Sequence, residues 1–106
     1  MTEEQILLIH NCLNEILNGL PESRPVKVIL AHRSEIEQTF QLSETVDFAK
    51  AVSENAMLIA DAIEVVIAEL GDDEFQTRTG FEIVSGRGLI GELRKDNTAN
   101  IVPGAF

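Results

Sequence analysis

The chain has 106 residues and a formal net charge of −10, from 18 acidic and eight basic side chains. A chain of this length forms one domain, residues 1–106, and its negative charge disfavours binding to nucleic acid phosphates. One cysteine, Cys12, excludes an intramolecular disulfide. Because the apolar runs are too short for a membrane span and the acidic start MTEEQ is no signal peptide, we expect a cytoplasmic protein.

A first amphipathic helix is predicted over residues 2–20. Thr2 is a suitable N-cap, and Glu3 and Glu4 would meet the positive end of the helix dipole. Pro21 ends the helix, because proline lacks the amide hydrogen that a further turn needs. One side of the helix carries the apolar residues Ile6, Ile9, Cys12, Leu13, Ile16, Leu17 and Leu20.

Two shorter elements follow a proline-containing turn. Residues 26–30, VKVIL, are β-branched enough for a short strand, but they also suit extended packing or the start of a helix. Ser34, with Glu37 three residues later, is typical of a capping box. It predicts a short helix with Ile36 and Phe40 on the apolar side.

The most regular pattern predicts a second amphipathic helix over residues 53–70. Ser53 is the expected N-cap, and Gly71 occupies the position at which a left-handed residue ends a helix. The apolar side consists of Val52, Ala56, Ile59, Ala60, Ile63, Val66, Ile67 and Leu70.

Two apolar residues, Leu58 and Val65, interrupt the acidic side of this helix. They lie seven residues apart, about two helical turns. Either a second layer of the protein covers them, or they are the apolar centre of a binding surface framed by carboxylates. The predicted partner-binding residues are Glu54, Leu58, Asp61, Glu64, Val65, Glu69, Asp72, Asp73 and Glu74.

The C-terminal third leaves two interpretations open. Apolar and polar residues alternate over 75–84 as in a strand, and SGRG suits a hairpin turn. In a helix, Gly86 and Gly88 would allow close packing, and Arg94 would lie at the C-terminal end, where the dipole favours cations. We expect a mainly α fold, a compact helical domain; the alternative is α+β with short strands near 26–30 and 75–84.

An offset of fifty residues superimposes the apolar residues of the two amphipathic helices. Each helix is followed by a broken segment and a shorter apolar pattern. A duplication of residues 1–50 as 51–100 would explain this match, and so would the chance agreement of two amphipathic helices.

No catalytic, metal or cofactor site is predicted. His10 and His32 have no partner at the spacing of metal ligands, and Cys12 belongs to an apolar stripe where a buried thiol is unreactive. The acidic run 72–74 is not followed by the oxygen ligands and glycine of a calcium-binding loop.

Two strings, NCLNEILNGL (residues 11–20) and EFQTRTGF (residues 74–81) followed by RGLIGELR, resemble a pattern in small, mostly uncharacterised bacterial proteins. Some of those proteins are associated with toxin immunity. The resemblance implies a role of that kind and transfers no functional residue.

Charge and patterning together favour a non-catalytic, acidic binding protein. We expect an immunity- or antitoxin-like inhibitor that covers a basic protein partner such as a nuclease toxin, with charge speeding the encounter and the apolar centre prolonging it. The alternative is a helical self-associating adaptor in which Leu58 and Val65 form a twofold contact. For either function we expect a monomer or a homodimer that binds neither nucleic acid nor membrane.

Overall fold

Helices form all the regular structure in the described part of the chain. The computed structural model describes the backbone of residues 1–105 and the side chains of residues 1–95. The elements are α1 (Glu3–Asn14), a π-helical turn (Glu15–Gly19), α2 (Arg24–Leu30), α3 (Arg33–Gln41), α4 (Phe48–Glu54), α5 (Ala56–Thr79) and α6 (Ile83–Ala105). The mainly α prediction is confirmed.

The start of the first helix is the one predicted. The Thr2 hydroxyl accepts a hydrogen bond from the Gln5 amide, and the Gln5 side chain accepts one from the Thr2 amide, which completes a capping box. The helix continues as the π-helical turn and ends at Leu20, whose backbone is extended ahead of Pro21.

Neither 26–30 nor 75–84 forms the strand of the alternative α+β prediction. Residues 26–30 lie in α2, where Val26 and Ile29, three positions apart, are both buried. Residues 75–84 are divided between α5 and α6, and Phe75 and Thr79, four positions apart, are both buried. Each segment therefore buries one side at a helical period, and packing outweighs the β preference of the branched residues.

The bounds of the predicted central helix change at both ends. Ser53 lies inside α4, and Asn55 separates α4 from α5. Gly71 has the positive φ that the sequence predicts, 75°, but its ψ is 177°, and helix resumes after it. The helix consequently extends to Thr79, with a kink at Gly71 in place of an end.

The core is built around α5, which packs against α6 and α1. Most of its fully buried side chains are aliphatic, joined by two phenylalanines; they include Ile9, Leu13, Ile36, Phe48, Ile59, Ile63, Val66 and Phe75. The expected close packing is confirmed at Gly86, because a Cβ there would lie 3.1 Å from both Ile67 Cδ1 and Phe75 Cζ, but it is wrong at Gly88, where a Cβ would meet nothing within 4 Å. Among the described residues, no helix combines the length and hydropathy of a membrane span.

Candidate functional site: the α2–α5 groove

An apolar groove lies between α2 and α5, and we name it the α2–α5 groove. It has a volume of about 350 Å³ and a mostly apolar wall. The lining residues are Pro25, Val28 and Ile29 from α2, and Asp61, Glu64, Val65 and Ala68 from α5. Val28 is 64% exposed, so this wall offers aliphatic surface to solvent.

The helical period places these residues along the groove. In α2, Val26 and Ile29 enter the core, which leaves Val28 turned outwards. In α5, Asp61 and Val65 are four residues apart and therefore share one side of the helix. Each helix buries one apolar stripe, and the residues at the border of that stripe stay exposed. The borders on α2 and α5 face each other across the groove.

An arginine from α6 lies at the carboxylates of the groove. Arg94 Nη2 donates to Asp61 Oδ1 at 2.9 Å and also to Glu64 Oε2. The hydrogen bonds to Glu64, and then to Asp61, raise the pKa of Arg94 above its ordinary value. The two carboxylates therefore hold a cation at the edge of an apolar wall.

A further carboxylate ties α5 to the start of α2. Glu69 Oε1 accepts a hydrogen bond from the Ser23 hydroxyl at 2.6 Å. Two bases of α2, Arg24 and Lys27, are exposed but do not line the groove. The charged groups that line it are consequently the acids of α5.

The structure brings together only part of the predicted partner-binding surface. Asp61, Glu64 and Val65 line the α2–α5 groove. Leu58 and Glu54 lie instead in a second depression with His32 and Glu35. Leu58 and Val65 are both partly buried and pack against the core, so they are not the open centre of one patch.

The remaining predicted acids lie beyond these two depressions. Asp72, Asp73 and Glu74 are exposed and follow the kink at Gly71, in the part of α5 that ends at Thr79. They add to the negative potential of the surface without lining the groove.

His10 and Cys12 are both held in structural surroundings, while His32 is exposed. His10 stacks on Phe40 at a centroid distance of 4.6 Å, and its Nδ1 lies 2.8 Å from Ser43 Oγ. Cys12 is buried, and burial, with a smaller effect of the Glu15 charge, raises the pKa of its thiol to about 12. Within residues 1–95, no group of three or more His, Cys, Asp or Glu side chains is arranged to hold a metal ion.

Sequence reasoning missed four residues that line the groove, Pro25, Val28, Ile29 and Ala68, and also Arg94 at its edge. Val28 and Ile29 were hidden by the uncertain element at 26–30, although a helical wheel of that segment would have turned Val28 outwards. For Arg94 there is no such signal, because its partners lie 33 and 30 residues earlier in the chain.

Comparison of the chain with known protein families, with curated proteins and with solved structures finds no match. The α2–α5 groove and the charge of the chain are therefore the features that bear on its function.

Proposed function

We propose that this chain is a non-catalytic binding protein whose α2–α5 groove receives a basic protein partner. In the specific form of the proposal it is a cytoplasmic immunity- or antitoxin-like inhibitor, and the partner is a toxin such as a nuclease. The observation that supports it is an exposed apolar wall bordered by carboxylates, on a chain with a net charge of −10.

The two parts of the groove have different roles in binding. Opposite charge speeds the diffusional encounter with a basic surface, and this effect weakens as ionic strength rises. Val28 and Val65 then supply apolar area, whose burial slows dissociation. A nuclease presents such a basic surface, because its cleft binds phosphates.

Self-association through the same groove is the second candidate, since an exposed Val28 could equally meet a copy of itself. A twofold contact would also bring Asp61 and Glu64 close to the same residues of the other copy. Like charges brought together in this way destabilise an interface, whereas a basic partner is attracted. Charge therefore favours a different protein as the partner.

The proposal is tested by photo-crosslinking combined with an inhibition assay. A photoreactive amino acid is placed at position 28, and at position 46 as the control, because Val46 is exposed but does not line the groove. A protein captured only from position 28 is purified and its activity measured with increasing amounts of the chain. We expect a basic protein that the wild-type chain inhibits.

Two substitutions then locate the contact. Val28→Asp should abolish inhibition, while Val46→Asp should leave it unchanged, and both variants should keep their helical circular dichroism because each valine is exposed. Equal inhibition by Val28→Asp, or capture of an acidic protein, would refute the proposal. A stable dimer of the free chain in light scattering, lost in Val28→Asp, would support the adaptor instead.

A further inference from the structure

We propose that Asp61 and Glu64 form a cation subsite of the α2–α5 groove, that Arg94 occupies it in the free protein, and that an arginine of the partner replaces Arg94. This inference rests on the proposed function and specifies its partner: a segment in which an arginine lies beside an aliphatic side chain. Arg94 then determines specificity, because it competes with the partner for the subsite.

The geometry shows how the subsite binds a guanidinium. Asp61 and Glu64 are three residues apart in α5, so their carboxylates lie on the same side of the helix. A single nitrogen of Arg94 donates to both of them. Two carboxylates this close repel each other, and a shared cation relieves that repulsion.

The occupant of the subsite is exchangeable because all three side chains are in contact with water. The side chain of Arg94 is 36% exposed, and those of Asp61 and Glu64 are 52% and 56% exposed. Ion pairs with this exposure contribute little to stability. An arriving guanidinium can therefore reach both carboxylates and compete with Arg94 for them.

Another arginine pair of the same chain shows what a permanent pair looks like. Arg78 Nη2 lies 2.7 Å from Glu15 Oε1, and the Glu15 side chain is only 9% exposed. Arg78 also donates to the carbonyl of Gly19 at 3.1 Å, which fixes the guanidinium against the backbone. Burial closes the Glu15 carboxylate to an external ligand, whereas the carboxylates of Asp61 and Glu64 are exposed.

The position of the subsite favours an arginine with an apolar neighbour. Val65 and Ala68 continue the α5 side of the groove beyond Asp61 and Glu64. A guanidinium at the carboxylates would thus place the next aliphatic side chain of the ligand on this wall. Arginine suits the subsite better than lysine, because its planar group offers five donors to two carboxylates.

The test uses two short, capped helical peptides that carry leucines and one basic position on the same face. One has arginine at that position, and the other has citrulline, which keeps the shape and removes the charge. Binding is measured by NMR titration of the full chain, following the amides of Val28, Val65 and Ala68. We expect the arginine peptide to bind more tightly than the citrulline peptide.

The decisive variant is Arg94→Gln, compared with Arg33→Gln as the matched control. Arg33 also forms an exposed ion pair, with Glu37 in α3, so its loss changes the net charge equally at a place away from the subsite. We expect Arg94→Gln to tighten binding of the arginine peptide roughly three- to fivefold, the size of one exposed ion pair. Arg94→Gln should not change the affinity for the citrulline peptide. Arg33→Gln should change the affinity for either peptide only by the small, salt-screened effect of the altered net charge.

The carboxylates are tested by the double substitution Asp61→Asn with Glu64→Gln, which should remove the preference for arginine. If Arg94→Gln leaves binding unchanged or weakens it, or if neither peptide binds, the subsite is refuted. Arg94→Lys provides a second, conservative variant, with intermediate affinity expected. If both peptides bind the groove equally, the subsite is refuted and the proposed function stands. The proposed function is refuted separately, by the partner assays with Val28→Asp.

Discussion

Gly71 is the residue at which one added methyl group should have the clearest effect on stability. It interrupts α5 with φ 75° and ψ 177°, a conformation that residues with a Cβ hardly adopt. No heavy atom lies within 4 Å of the position that a Cβ would take, so crowding by neighbours adds nothing. Gly71→Ala should therefore lower the free energy of unfolding by about 1–3 kcal/mol through backbone strain alone.

The measurement is urea unfolding followed by far-ultraviolet circular dichroism, with Gly91→Ala as the control. Gly91 lies in α6, has no positive φ, and also has no heavy atom within 4 Å of a built Cβ. There the same substitution should raise the free energy of unfolding by about 0.5–1 kcal/mol, because alanine favours helix. Opposite signs at the two glycines are the expected result. A Gly71→Ala variant as stable as wild type would refute the argument from backbone strain.

Four further predictions concern buried or partly buried groups. Arg78→Leu should lower the free energy of unfolding by about 1–3 kcal/mol because it leaves the Glu15 carboxylate unpaired, and adding Glu15→Gln should restore most of the loss in urea unfolding. Cys12, whose pKa rises from 9.0 to about 12 on burial, should react with iodoacetamide only as fast as the chain unfolds. Since the native thiol keeps a proton that the unfolded chain loses, stability should fall as pH rises from about 9 to about 12, measured by thermal melts of wild type and Cys12→Ala. Leu58→Asp should destabilise the fold by roughly 2 kcal/mol or more, unlike Val46→Asp, because Leu58 packs on the core; equal melting temperatures would contradict this.

Local chemistry fixed the parts of the fold that the sequence predicted correctly. The first helix begins directly after Thr2, because its cap is formed by two residues three positions apart and needs no other part of the chain. Gly71 adopts a positive φ, and Gly86 packs closely against its neighbours, because glycine has no Cβ. The acidic character of the surface follows from composition alone.

The identity of the element at 26–30 depended on tertiary packing. Val26 and Ile29 suit a strand or a helix equally, and the core of α5 selects the spacing that buries both. Once α2 is a helix, Val28 turns outwards and the groove exists. The sequence predicted Val65 as a site residue, but it did not predict the opposite wall of the groove, which α2 forms.

Tertiary structure also separated residues that the helical wheel had joined. Leu58 and Val65 lie in different depressions, and each is partly buried against the core. Arg94 reaches Asp61 and Glu64 only because α6 packs along α5. A pattern within one helix determines which side is apolar and which is charged, whereas contacts between distant segments determine which of those charges remain open to a partner.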